Sequence, residues 1–207
     1  MKLNLLWKKE GNNVKIGVLA VQGAFIEHDK IIESLGAACI EIRKKEDLDG
    51  IDGVILPGGE STVQGQLLQK LDILAPLRAL IKDGLPTLAT CAGLILLASN
   101  IDEDPTVHLG TLPVTVKRNA YGRQLSSFLT NADFKPIGNV PMMFIRAPYV
   151  VQANEDVDIL SEVDGRIVAV KYHNQIGLAF HPELTEDTKI HQYFLDVVTQ
   201  NRQSLPW

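Results

Sequence analysis

Residues Pro86–Ala98 read "PTLATCAGLILLA". A short apolar run reaches Thr90-Cys91, turns through two small residues, Ala92 and Gly93, and continues as a second apolar run. A strand ending at Thr90 and a helix over Ala92–Asn100 fit this pattern, and strand-then-helix is the repeating unit of a parallel α/β sheet. The same alternation extends upstream. "KIGVLAV" (Lys15–Val21) is a continuous β-branched run, as a strand buried on both faces is. "AFIEHDKIIESLG" places Phe25, Ile26, Ile31, Ile32 and Leu35 on one helical stripe and ends at Gly36, where a C-cap belongs. "ACIEIR" and "GVILPGG" are two further strands. "STVQGQLLQKLDILAPLRALIKDG" is helical, with a break expected near Pro76 and an end at Gly84.

The second half is different. "TLPVTVKR", "MMFIRAPYVVQ", "DILSEVDGRIVAVKY" and "QIGLAF" are strand-like and separated by turn residues, and "EDTKIHQYFLDVVTQN" is a closing helix. Nothing repeats, and no Gly/Ser/Pro linker divides the chain. The expectation is one domain over 14–207, with 1–13 as an extension outside it.

The chain has 207 residues, 45% of them apolar and 22% charged, with a net charge of −5. That balance is globular and does not favour nucleic acid or an anionic membrane. No apolar run approaches the roughly 20 residues of a membrane helix. Two cysteines, Cys39 and Cys91, are too few for a disulfide framework, so a reducing cytoplasm is the expected compartment. They show no C-x-x-C spacing, and "GVLAVQGAF" lacks the G-x-G-x-x-G of a dinucleotide loop. Neither a metal nor a cofactor is therefore expected.

The chemistry is expected at strand ends, where open parallel sheets bind ligands. Cys39 lies inside a strand and reads as core. Cys91 follows a strand and precedes a helix, where amide N–H groups favour a thiolate. The pattern Ala89-x-Cys91-x-Gly93 resembles a nucleophile elbow with alanine for the first glycine. Of the five histidines, His181 follows an apolar strand, and Glu183 lies two residues on. In an extended segment those two side chains share a face, which makes Glu183 an orienting carboxylate for the imidazole. Taken alone, His-Pro-Glu also reads as a surface turn. "LPGGES" (Leu56–Ser61) is a third strand end, whose glycines leave amides free to hold an oxyanion.

Together "LPGGEST", "TCAGLILLA" and "FHPELT" resemble the class I triad glutamine amidotransferases, whose fold is a flavodoxin-like three-layer sandwich with a mostly parallel central sheet. "LAVQGAFIEH", "RNAYGRQ" and "FIRAP" are similar to the glutaminase-subunit family of pyridoxal 5′-phosphate synthase. That resemblance implies hydrolysis of L-glutamine to L-glutamate and ammonia, and delivery of the ammonia to a (β/α)8-barrel synthase subunit. It implies Cys91, His181 and Glu183 as the triad, and Gly59 and Ala92 as oxyanion donors. Gly59, Glu60, Ser61, Arg118, Ile145 and Arg146 match positions that line the glutamine site. Gln22 and His28 match a segment that faces the synthase, Gln22 near the oxyanion loop. Ala89 stands where glycine is common and Tyr121 where phenylalanine is frequent. A stand-alone cysteine hydrolase and a silent regulatory subunit are the competing readings.

Overall fold

The structure, a computed structural model, describes residues 14–118 and 127–204. The expected extension, 1–13, and all of "RNAYGRQ" except Arg118 lie outside the described residues. The first half alternates as the sequence predicts: β1 (Lys15–Leu19), α1 (Phe25–Ser34), β2 (Ala38–Ile42), β3 (Gly53–Leu56), α2 (Ser61–Lys70), α3 (Leu74–Lys82), β4 (Thr87–Thr90) and α4 (Ala92–Leu97). Strands β5 (Ala98–Ile101), β6 (Leu112–Lys117), β7 (Ser127–Phe134), β8 (Gly138–Ile145), β9 (Tyr149–Ala153), β10 (Asp158–Val163), β11 (Arg166–Tyr172) and β12 (Gln175–Leu178) follow, and α5 (Lys189–Ser204) closes the described chain.

Ten strands form one sheet in the order β2-β1-β3-β4-β12-β11-β9-β6-β5, with β10 on β11. From β2 to β12 every pairing is parallel. Beyond β12 the sheet continues through antiparallel pairs, β12–β11, β11–β9 and β9–β6. The burial patterns follow this division. Strands β3, β4 and β12 are buried at every residue, because helices cover both faces of a parallel core. Strand β6 alternates buried and half-buried residues, as a one-sided strand does. The separate β7–β8 hairpin has Phe128 stacked on Phe144 at 4.7 Å between ring centroids.

Several boundaries differ from the sequence reading, and "DILSEVDGRIVAVKY" is two strands, β10 and β11, joined through Asp164-Gly165. The helical break falls at 71–73, where Asp72 takes φ 56, and Pro76 sits in the first turn of α3. A first-turn proline gives up no intrahelical bond, so it starts the helix instead of breaking it. Helix α4 stops at Leu97 because Ala98–Ile101 leaves to pair with β6. "MMFIRAPYVVQ" is two strands, parted where Arg146 takes φ 42.

The helices form two groups. His28 of α1 touches His191 of α5, while α2 contacts α3 and α4. Phe194 and Val198 of α5 pack over the start of β3, where a Cβ on Gly53 would lie 2.8 Å from Val198. Each such fully buried apolar side chain stabilises the fold by about 1.5–3 kcal/mol.

Candidate active site

Four strands of the parallel core, β1, β3, β4 and β12, run the same way, so their carboxyl ends open on one rim. The loops after these strands carry the expected chemistry: Gln22 after β1, Gly58-Gly59-Glu60 after β3, Cys91 after β4 and His181 after β12.

Cys91 has φ 48 and ψ −100, outside the regions an L residue readily occupies. Such a conformation costs about 1–3 kcal/mol and persists only where the surroundings impose it. They do so here. The Cys91 amide donates to Leu178 O at 2.8 Å, fixing the residue to the end of β12. The next residue begins α4 against the end of β3, and a Cβ on Gly93 would collide with the Leu56 carbonyl oxygen. Gly93 is therefore required by helix-to-strand contact.

His181 is held from three sides. Its amide donates to Met143 O of β8 at 2.8 Å. Its Nδ1 lies 2.6 Å from Glu183 Oε1. Its ring lies over Gly58, where a Cβ would come within 2.2 Å of the imidazole Cε1. The sequence reading took Gly58 and Gly59 together as an amide source, and the structure gives Gly58 a separate task, clearance for the imidazole. Glu183 is not on an extended segment: Pro182–Leu184 is a 3-10 turn. Proline's fixed φ starts that turn, and the carboxylate folds back onto the neighbouring ring. Both residues are buried, Glu183 at 5% exposure and His181 at 7%. Burial pulls the His181 pKa down, but hydrogen bonds to Cys91 and Glu183, with their charges, outweigh it and raise it to about 10. At neutral pH the ring is thus an imidazolium beside the Glu183 carboxylate.

Beside this group is a cavity of about 540 Å³ lined by Gly59, Glu60, Ser61, Cys91, Arg118, Ile145, Arg146 and His181, among others. Six expected substrate-site residues, from Gly59 to Arg146 in the chain, therefore face one space with the sulfur. Arg118 also pairs with Asp104 at 3.0 Å, which steers its guanidinium. Ala92 is 1% exposed at the first turn of α4, and Glu183 stands behind His181.

The loop that carries Gly59 is braced from β1. Gln22 Oε1 accepts from the Glu60 amide at 2.9 Å, and a Cβ on Gly59 would strike that same oxygen. Gln64, fully buried, donates from Nε2 to Gln22 O at 2.9 Å and to Pro57 O at 3.2 Å. The Ala24 amide donates to Gly58 O at 3.1 Å. Gln22 thus lies against the Gly59-Glu60 loop. Gln64 escaped the sequence reading, because a glutamine inside a helix carries no signal of burial. His28 is wholly buried and presents nothing to a docking surface. Among the described residues no group of three or more His, Cys, Asp or Glu is placed to hold a metal ion. No described helix is long and apolar enough to cross a membrane.

Residues 18–200 match the SNO glutamine amidotransferase family. The chain is 59% identical over 187 residues to a pyridoxal 5′-phosphate synthase subunit PdxT of Desulfitobacterium hafniense, covering 90% of this chain and 94% of that protein. It is 54% identical over 186 residues to the protein of the same description from Methanocorpusculum labreanum, covering 89% and 98%. A crystal structure described as a glutamine amidotransferase superposes with a TM-score of 0.86 at 40% identity, over 89% of this chain and 98% of that one.

Proposed function

The chain belongs to the SNO glutamine amidotransferase family, and on that premise we propose that it is the glutaminase subunit of a pyridoxal 5′-phosphate synthase. It hydrolyses L-glutamine to L-glutamate and ammonia and supplies the ammonia to a partner subunit, a (β/α)8 barrel, in the cytoplasm. One observation carries the chemical part of this reading: Cys91 and His181, its Nδ1 2.6 Å from Glu183 Oε1, line one cavity with Gly59, Glu60, Ser61, Arg118, Ile145 and Arg146.

The steps follow from this arrangement. Glutamine's carboxylate is recognised by Arg118 and Arg146, because a guanidinium fork matches two carboxylate oxygens. Its ammonium is held by Glu60 and the backbone near Ser61, and Ile145 packs on its methylene chain. The Cys91 thiolate attacks the side-chain amide carbon. The amides of Gly59 and Ala92 hold the oxyanion as the tetrahedral centre forms. The His181 imidazolium gives its proton to the departing nitrogen, and ammonia leaves a thioester. The neutral imidazole then takes a proton from water, which attacks the thioester and releases glutamate. Glu183 keeps the ring oriented throughout and stabilises its cation.

Braced contacts from Gln22 to the Gly59 loop give the partner a route to this chemistry, because movement of the β1–α1 segment displaces the Glu60 amide. The test is glutamate release from glutamine by the full chain, with and without its cognate synthase subunit, beside a Cys91→Ala control. Release that rises with the partner and vanishes in the control is expected. Unaltered release in the control removes Cys91 from the reaction. Full release without the partner favours a stand-alone hydrolase.

A further inference from the structure

Behind the triad, on the side away from the cavity, two imidazoles are packed out of reach of solvent. His28 of α1 and His191 of α5 are each 0% exposed. His28 Nδ1 lies 2.9 Å from His191 Nε2. On the other side of its ring, His28 Nε2 lies 3.4 Å from Thr90 Oγ1 and 3.5 Å from Glu183 Oε2. Glu183 uses Oε1 for His181, and its buried Oε2 has no hydrogen-bond partner among the described residues; His28 Nε2, at 3.5 Å, is placed to supply one by a small shift. His191 Nδ1 is likewise buried without one.

These contacts assign the protons. Two facing imidazole nitrogens need one N–H and one lone pair. A carboxylate oxygen only accepts. With its proton on Nδ1, His28 would turn a bare nitrogen toward Glu183 Oε2, leaving a buried carboxylate oxygen with no donor, an expensive arrangement. With its proton on Nε2, His28 faces both Oε2 and Thr90 Oγ1 with a donor, and its Nδ1 accepts from His191 Nε2–H. The atom then left over is His191 Nδ1, a neutral lone pair, the cheapest of the group to leave unpaired.

We propose that His28 is a positioning residue for the triad carboxylate: locked in its Nε2–H form by His191, it donates to Glu183 Oε2 and holds Oε1 on His181. This deepens the glutaminase reading and rests on it. Both imidazoles stay neutral at neutral pH. Burial, then the charges of His191 and His181, lower the His28 pKa, and burial takes His191 to about 4. Neutrality matters to the role, because a cationic His28 would share the carboxylate's charge that stabilises the His181 imidazolium. Thr90, the third group on His28, directly precedes Cys91, so helices α1 and α5 both bear on the nucleophile's strand end through one imidazole pair.

The test has two arms. The first is ¹⁵N NMR of the imidazoles in the full wild-type chain at neutral pH, which needs neither substrate nor activity. A protonated Nε2 and bare Nδ1 on His28, with a protonated Nε2 on His191, is the expected result. The opposite tautomer of His28 overturns the proposal whether or not the chain is a glutaminase. The second arm compares His28→Gln, His28→Asn and His28→Met, with the cognate synthase present for the kinetics. Glutamine places its amide near Nε2, and asparagine near Nδ1. Met and Asn are expected to lower kcat about tenfold or more with KM for glutamine little changed, and to broaden the downfield His181 Nδ1–H resonance. Gln is expected to restore much of both. Wild-type kcat in His28→Met, or equal losses in Gln and Asn with the His181 resonance unmoved, overturns it. A wild-type chain that releases no glutamate defeats the glutaminase reading, and the tautomer measurement still decides the hydrogen bond.

Discussion

Cys39 and Cys91 belong to strands of the same parallel core and have opposite surroundings. Cys39 lies within the edge strand β2, half-buried, with Sγ 3.8 Å from the Asp29 carbonyl oxygen. Burial, then the charges of Asp29 and Glu33, push its thiol up to about 12. Cys91 sits past the end of the central strand β4, with a strained backbone and an imidazolium as neighbour. The residue type is the same, and position in the sheet decides its chemistry. Inside a strand a side chain meets only its layer, whereas at a carboxyl end several loops converge on it.

Alkylation separates the two most widely. At pH 8 a thiol of pKa about 12 is roughly one part in ten thousand thiolate, and the thiolate is the reactive form. Iodoacetamide should therefore modify Cys91 about a thousandfold or more faster than Cys39, as followed by peptide mass spectrometry. Comparable rates would mean that the imidazolium does not activate Cys91.

Gly58→Ala makes Cys91 more like Cys39 without touching either cysteine. The new methyl group occupies the place of the His181 ring, and a displacement near 1 Å at a reacting group costs about a hundredfold. Glutamate release should fall by about that factor while circular dichroism stays native. Activity within about threefold of wild type would show that the imidazole has room to move.

The smallest effect is on stability against pH, and its sign differs between the two histidine sets. His181 has a folded pKa of about 10, above its unfolded value near 6.5. Its stabilisation is complete below about pH 6.5 and is lost as pH rises through about 10. His191, with a folded pKa of about 4, does the reverse, and His28 is shifted in the same direction. Their neutral burial favours the fold above about pH 6.5 and works against it as pH falls toward 4. Thermal unfolding midpoints should therefore peak near pH 6.5. In Glu183→Gln the alkaline decline should flatten and the acid decline remain. An unchanged alkaline decline would remove the carboxylate from the His181 shift.

Much of this was legible in the chain. The β-α alternation up to Cys91 follows from unbroken apolar strands and striped helices, which local pattern alone specifies. Cys91, Gly59 and His181 could be placed because each follows a strand, and parallel strands share one direction. The second half was harder. Strand β7 alternates exposed and half-buried residues in "SFLTNADF", a weak signal, and β5 was hidden in the apolar run of α4. Ala98 leaves the helix only because β6 offers a partner, which is a long-range fact.

By itself, then, the sequence determined the parallel core, the place of Cys91 past a strand end and the family, since these rest on periodicity and on contiguous motifs. Tertiary structure alone decided that Gly58 clears space for an imidazole, that Gln64 is buried between Gln22 and Pro57, and that His28 turns inward beside Glu183. Those roles depend on residues 42 to 163 positions apart in the chain meeting in the fold, and no local pattern records such a meeting. Hydrogen-bond direction and close approach are properties of the packed chain, set when the loops of β1, β3, β4 and β12 come together.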